Sequence, residues 1–495
     1  MHKKLHKDLK HRAARIVKAL RSTHREYLYG LMFTILYMVA VLIWRSIDQR
    51  PPHWDMARHL YTAEVYSQLL SGHHWLDLIW RYMYYPPLLY IWAAKWQAVF
   101  GHSVVSAVAS NVLWVGMIVG SMISIGRSLR IKYAGLLGSV FFFTMPLVGS
   151  VVRDFQIDIS LTAMVALTLA VLMRTQRFTS YNWSLLCGVC FGLGMLTKWT
   201  YPAFVALPAA IVMLAGLAAK RDRRVVLQNI IVSLAVGAAI AQPWYVRNID
   251  AVRGDFRANG SAAGVNEGDP AVWSLAGLLW YPRAMLREYL WLPWLLPVVA
   301  ALAHAVKMRF QKLSLEMLIL LSSSLGGLLC FTLLRNKDAR YILPIFIAVG
   351  IWAGAMAASW LHKNSTQLLA GVIGSLIILS YFATSFLSLN ANLTLGPLTW
   401  WRSTGYITGS PERAQWCQED SFMKASTYSS VIQVGGIDTI WHNEWGNRYY
   451  AIREKAVAES ATKPVLIRRF LVPRQDSLWS CQNPDKTWVN IYWQD

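Results

Sequence analysis

Apolar runs of about 17–22 residues recur along this chain, each long enough to cross a hydrocarbon layer roughly 30 Å thick. Eleven spans are expected, near 29–46, 104–126, 133–151, 157–173, 183–197, 202–219, 225–243, 291–306, 313–334, 341–361 and 368–389. A water-soluble fold needs far more polar surface than this pattern leaves. Only 15% of the 495 residues are charged and 55% are hydrophobic, against a usual charged share of about 25%. A soluble enzyme is excluded, and a polytopic α-helical membrane protein is the expected class.

The charge excess follows the spans. Lys and Arg total 48 and Asp and Glu 26, a formal net charge of +22. Residues 1–28 hold nine Lys or Arg ahead of the first apolar run. The other basic groups fall in alternate short loops: Arg127/Arg130/Lys132, Arg174/Arg177, Lys220/Arg221/Arg223/Arg224, Lys307/Arg309/Lys312 and His362/Lys363. This is the positive-inside pattern, with the basic loops and the amino terminus in the cytoplasm. Beside anionic lipid such loops set topology, so membrane lipids are the partner of this charge and nucleic acid is not. An odd number of spans leaves the carboxyl terminus outside. No cleavable signal peptide is read at the first span, which lacks a small-residue cleavage site.

Three divisions follow: a basic cytoplasmic segment at 1–28, a membrane domain at 29–390 and an extracytoplasmic domain at 391–495. The first outer loop, 47–103, holds two half-buried pieces. Asp55 to Leu70 reads as a surface helix. Leu88 to Phe100 is too short to span and reads as interfacial or re-entrant. The second outer loop, 244–290, contains a Gly-rich tract from Arg253 to Pro270 expected to be mobile. The last segment has eleven Lys or Arg against ten Asp or Glu and reads as a small α/β domain. Its strands are expected at Pro464–Val472 and Thr487–Trp493, and a helix at Tyr449–Ser460. Cys417 and Cys481 are its only cysteines, free or bridged in an oxidising compartment. Cys187 and Cys190 form a CxxC inside the fifth span, where packing accounts for them better than redox chemistry. Cys330 lies in the ninth.

Charges at the outer edge of the spans carry the chemistry, because a charge at a membrane helix centre costs about 2.5–3.5 kcal/mol on insertion scales. Asp55 follows the first span, and Asp154 and Asp158 stand at the turn between the third and fourth. Lys198, Arg247, Arg335, Lys337 and Arg340 are outer cations that run against the positive-inside trend. Cations and carboxylates at separate outer turns suit a phosphate clamp with one carboxylate taking an acceptor proton. His53, His59, His73 and His74 cluster in the first loop without metal-ligand spacing. No cofactor is expected, and a divalent metal is left open.

These residues carry a resemblance. Asp55-Met-Ala-Arg58-His, Ser71-Gly72, Tyr85-Pro86-Pro87-Leu88 and Phe100-Gly101 resemble the first outer loop of polyprenyl-phosphate-sugar-dependent glycosyltransferases of the GT-C fold. That group includes the protein O-mannosyltransferases and the lipid A aminoarabinose transferases. Arg153 with Asp158-Ile-Ser-Leu-Thr, Gly192-Leu-Gly-Met-Leu-Thr-Lys198, Pro243-Trp-Tyr-Val-Arg247-Asn and Lys337-Asp-Ala-Arg340-Tyr341-Ile-Leu-Pro344 are similar to later motifs of the group, in order, over residues 25–361. The resemblance implies Asp55 as the catalytic base and Asp158 as a second active-site carboxylate. It implies Lys198, Arg247, Arg340, Tyr341, Tyr85 and Arg58 at the donor phosphate, with Asp154, Arg153 and Lys337 as further candidates. Tyr85 is a departure, because relatives often place Lys or His there. A Tyr donates a hydrogen bond without charge, leaving Tyr84, His53 or Arg58 to compensate.

The expected reaction is inverting transfer of a sugar from a polyprenyl phosphate to a lipid, glycan or protein acceptor, on the outer face of a bacterial plasma membrane. A phosphate leaves as an ionised anion, so a base and a cation clamp suffice. Two rivals stand beside it: a polymerase or ligase taking pyrophosphate-linked oligosaccharide, and a transporter or flippase of lipid-linked sugars. A transporter calls for ionisable groups at mid-membrane, whereas the charges here stand mostly at outer edges, and Glu316, the main acid within a span, lies close to the inner end of the ninth.

Overall fold

A computed structural model describes residues 2–219, 222–307, 313–387, 393–395, 398–400, 409–428, 432–436, 444–453, 465–470, 477–484 and 488–493. The first apolar run lies in a long helix, α1 (His2–Ile47). Near its carboxyl-terminal end the Trp44 indole N–H donates to the Ser385 carbonyl at 2.8 Å. The basic side chains of residues 3–21 lie outside the described side chains.

Residues 54–109 hold four helices separated by short non-helical links: α2 (Trp54–Ser71), α3 (Trp75–Trp80), α4 (Leu88–Phe100) and α5 (Val104–Ala109). The expected surface helix at 55–70 is α2, but it is not a surface element. Most of its residues, Leu60, Tyr66 and Glu64 among them, are buried. The helix α4 has the bounds read from sequence, set by Pro87 before it and Gly101 (φ +87°) after it.

The chain then enters α6 (Val112–Ser128), α7 (Ala134–Thr144) and α8 (Pro146–Arg153). The α7–α8 pair bends by 75°. Met145 is extended at ψ 137°, as the residue before a proline prefers, and Pro146 opens the next helix at its first position. There follow α9 (Ile157–Arg174), α10 (Tyr181–Met195), α11 (Pro202–Ala218) and α12 (Arg223–Arg257). The Gly-rich tract is not an open loop: α12 runs to Arg257 and passes into a π turn at Ala258–Ala263 and short turns α13 (Gly264–Asn266), α14 (Leu275–Leu278) and α15 (Trp280–Ala284). The remaining membrane helices are α16 (Leu292–Lys307), α17 (Leu315–Thr332), α18 (Phe346–His362) and α19 (Gln367–Phe386). A 3-10 turn, Ala339–Ile345, leads into α18. Glu316 lies in the first turn of α17, where a helix N-terminus favours an acid.

Glycines let these helices touch. A methyl at Gly354 of α18 would lie 2.1 Å from the Ala134 carbonyl oxygen of α7, and one at Gly138 of α7 would lie 2.5 Å from that of Gly350. Among the described residues seven helices are long and apolar enough to cross a membrane, or eight with the bent pair. The helices at the expected fifth, sixth and eighth spans fall below that length, with 15, 17 and 16 residues, so the count of eleven rests on them.

The carboxyl-terminal region has a different make-up. Strands β1 (Leu393–Leu395) and β2 (Leu398–Trp400) form a hairpin. Strands β3 (Ile432–Gly436), β4 (Val465–Phe470), β5 (Trp479–Gln482) and β6 (Trp488–Trp493) form a sheet in the order β3-β4-β6-β5, with only β3 and β4 parallel. Helices α20 (Cys417–Tyr428) and α21 (Glu444–Arg453) accompany it. The expected helix at 449–460 thus begins earlier, and residues 454–460 lie outside the described residues. Cys417 and Cys481 form a disulfide between α20 and β5. Ile467, Val489 and Ile491 are fully buried on one face of the sheet.

Candidate active site

The first turn of α2 points Asp55 toward the 3-10 turn that opens α18. Asp55 Oδ2 accepts a hydrogen bond from Arg340 Nη2 at 2.7 Å. Arg340 is fixed from the other side by Asp338, whose Oδ1 also accepts the Arg340 backbone N–H at 2.8 Å and so caps the turn. The Arg340 Nε–H lies 3.0 Å from Asp338 Oδ2. One guanidinium therefore bridges two carboxylates 283 residues apart in sequence (338 − 55). Burial by itself would raise the Asp55 pKa, but Arg340, with His59 and His53, overcomes it and holds the carboxyl well below the usual carboxylate range. Half of the Asp55 side chain stays accessible.

A second pair lies deeper. Asp158, in the first turn of α9, accepts from Lys198 Nζ at 2.8 Å, and both side chains are 4% exposed. The Lys198 ammonium sits 5.3 Å from the Tyr85 ring centre and 5.2 Å from that of Tyr341. Tyr341 donates its hydroxyl to Asn336 at 3.2 Å. Tyr85 feels both Asp158 and Asp55 electrostatically, and burial drives its hydroxyl far above the ordinary range. His59, one helical turn after Asp55, lies 2.9 Å from the Tyr90 hydroxyl. Burial pushes its pKa down to about 3, against the pull of Asp55, so the ring is neutral near pH 7.

Tyr84, Tyr85, Lys198, Phe256, Asn336 and Tyr341 line one cavity. Through Trp199, Thr200, Phe256 and Leu334 it adjoins a groove of about 370 Å³. Tyr245, Val252 and Cys330 supply apolar wall, and Arg253 and Arg257 contribute charge.

The remaining expected residues fall elsewhere. Arg58 stacks on Tyr84 at 4.0 Å. Arg153 is buried against Trp44, 4.4 Å from its ring centre, and Asp154 lies 3.5 Å from His53 Nε2. Lys337 donates to the carbonyls of Phe331 and Thr332 at 3.0 and 2.7 Å, capping α17. Burial lowers its pKa, with Asp269 opposing. Arg247 is exposed on α12, and no ion pair joins it to either carboxylate among the described residues. Asp338, Asn336 and the groove aromatics escaped the sequence reading, although an Asp two residues before Arg340 carried a helix-cap signal. Among the described residues no three His, Cys, Asp or Glu come together as metal ligands.

A half-accessible Asp55–Arg340 pair and a buried Asp158–Lys198 pair thus stand at helix ends of an integral membrane protein. The comparisons give its fold, GT-C. The family model for dolichyl-phosphate-mannose-protein mannosyltransferases matches residues 85–246, which include Tyr85, Asp158 and Lys198. The chain is 26% identical over 369 residues to undecaprenyl phosphate-alpha-4-amino-4-deoxy-L-arabinose arabinosyl transferase 1 of Pseudomonas fluorescens Pf-5, covering 66% of this chain and 61% of that one. The protein of the same name from strain Pf0-1 is 27% identical over 361 residues, 68% of this chain and 58% of the other. This chain thus spans about three fifths of the length of these curated relatives. Its fold matches that of ArnT from Cupriavidus metallidurans in the apo state, with a TM-score of 0.57 at 14% identity, over 93% of this chain and 97% of that one. ArnT bound to undecaprenyl phosphate matches over the same shares at 0.54 and 13% identity.

Proposed function

We propose that the protein is a membrane glycosyltransferase that takes a sugar from a polyprenyl-phosphate donor and gives it to a lipid, glycan or protein acceptor on the extracytoplasmic side of a bacterial inner membrane. The observation that carries this reading is the Asp55–Arg340–Asp338 bridge beside the Lys198–Asp158 pair, whose Lys198 lines a cavity that adjoins an apolar groove. The groove suits a stretch of prenyl chain, and the cations suit a phosphate. The names of the sequence relatives, and the undecaprenyl phosphate bound to ArnT, support that donor class.

The chemistry starts from a resting ion pair. A carboxylate held far below neutrality is a weak base, because a base works best with a pKa near the working pH. A donor phosphate competes for Arg340 and loosens its hold on Asp55, whose proton affinity then rises. The acceptor oxygen attacks the anomeric carbon as Asp55 takes its proton. The bond from that carbon to the phosphate oxygen breaks, and its electron pair leaves on the phosphate. Arg340 and Lys198 stabilise the departing charge. A single displacement inverts the anomeric centre. Asp158 orients Lys198, and Tyr341 and Tyr85 wall the phosphate. The segment 1–28 faces the cytoplasm, 29–390 is the catalytic membrane domain and 391–495 stands outside the membrane.

The test is sugar transfer by the purified full chain from a panel of polyprenyl-phosphate sugars, with nucleotide sugars as controls. Turnover of one lipid donor, lost in Asp55→Asn while undecaprenyl phosphate still binds, is the expected result. Lipid movement across vesicles without turnover, unaffected by Asp55→Asn, would favour the transporter instead.

A further inference from the structure

A continuous series of ring and cation contacts runs from the outer domain to the deep ion pair. Trp445, in the first turn of α21, packs on α2, with its ring 5.8 Å from Tyr61 and 5.0 Å from the Arg58 guanidinium carbon. Arg58 and Tyr61 are three residues apart and share one face of α2. The Arg58 guanidinium also stacks on the ring of Tyr84, at 4.0 Å. Tyr84 meets Tyr85 edge-on at 4.4 Å, Tyr85 lies 5.3 Å from Lys198 Nζ, and Lys198 reaches Asp158.

One link in this series is under strain. Tyr84 has φ +74°, a left-handed conformation that a bulky residue holds only when its surroundings impose it. Two contacts hold the ring, the edge of Tyr85 and the cation–π stack of Arg58, and Trp445 packs on that same guanidinium at 5.0 Å. Tyr84 and Tyr85 in turn form cavity wall beside Lys198.

We propose that Trp445 is a positioning residue: by clamping Arg58 over Tyr84, the outer domain sets the conformation of the Tyr84–Tyr85 wall at the donor site. The catalytic consequence rests on the transferase reading above, whereas the structural link does not. When Trp445 leaves, Arg58 gains freedom, Tyr84 relaxes out of the left-handed region and the wall loosens. The outer domain is then part of the site's geometry, though none of its residues touches either ion pair among the described residues.

Hydrogen exchange of the full chain in lipid nanodiscs tests the link without any sugar transfer. Trp445→Ala should raise exchange of the amides of residues 81–88 by about five- to tenfold, with α10 unchanged, and Trp445→Phe should restore protection. Arg58→Met, which keeps the stem and removes the guanidinium, should reproduce the loosening with α21 still protected. In the transfer assay Trp445→Ala should raise the donor KM by a similar factor at unchanged kcat. Unaltered exchange of residues 81–88 in Arg58→Met overturns the proposal, even if Trp445→Ala fails to fold. Loosening in Trp445→Ala that Trp445→Phe does not reverse overturns it too. Absence of any transfer by the wild type would sink the transferase reading and leave the exchange result standing.

Discussion

Arg340 is shared: the guanidinium that bonds Asp55 at 2.7 Å is gripped at its Nε by Asp338. Because Asp338 alone can hold Arg340 in place, the bond to Asp55 can be given up without leaving the cation adrift. On the proposed mechanism, that sharing lets one arginine rest on Asp55 and still meet an incoming phosphate.

Asp55→Asn should lower kcat by about 10²- to 10⁴-fold, the usual worth of a positioned base, with donor binding largely kept. Arg340→Ala should instead raise the donor KM, because the phosphate loses a charged partner. Steady-state kinetics with a defined polyprenyl-phosphate sugar separate the two effects.

Asp158→Asn leaves the Lys198 ammonium buried without a counter-charge. The expected cost is about 3–5 kcal/mol, seen as a lower melting temperature in detergent. Adding Lys198→Gln to the same protein should recover part of that loss while activity stays low. If the double variant melts below the single one, the pair is not coupled in this way.

His59 makes stability depend on pH. Its folded pKa, about 3, lies below the ordinary histidine value of 6.5, so between these values the unfolded chain binds more protons than the folded one. Stability is then complete above pH 6.5 and falls as the pH drops toward 3. Asp55 acts in the same direction but only below its unfolded pKa of about 4. Melting curves between pH 7.5 and pH 5 isolate the histidine, and His59→Gln should flatten them.

Opening the disulfide with Cys417→Ser and Cys481→Ser should cost the outer domain about 2–5 kcal/mol. Limited proteolysis should then cleave within 409–493 sooner, while fragments of the membrane helices keep their wild-type lifetimes.

The sequence made the residue types of the site legible, but not their partners. Asp55, Asp158, Lys198 and Arg340 stood out because charge at a membrane edge is costly. Nothing local pairs Asp55 with a residue 285 positions away. Helix α4 was readable to the residue because Pro87 and Gly101 bound a stretch that is apolar apart from Lys95 and Gln97. Helix α12 was cut short in the reading, since polarity rises after Ile240 while the backbone stays helical to Arg257. Hydropathy reports where a helix leaves the membrane, not where it ends. The burial of α2 was hidden too, because part of its cover comes from α21, nearly four hundred residues on.

The glycine seam between α7 and α18 has a bearing on Arg340. Gly354 lies fourteen residues beyond it, about 20 Å along a helix, on an α18 that begins where the 3-10 turn ends. With backbones in contact at Ala134 and Gly138, α18 has no slack to slide or roll. A single methyl group there acts as a wedge under the far end of a lever whose tip is the guanidinium. Drift in this lineage can therefore alter the reaction from the opposite end of the bundle, without altering any residue that a substrate meets.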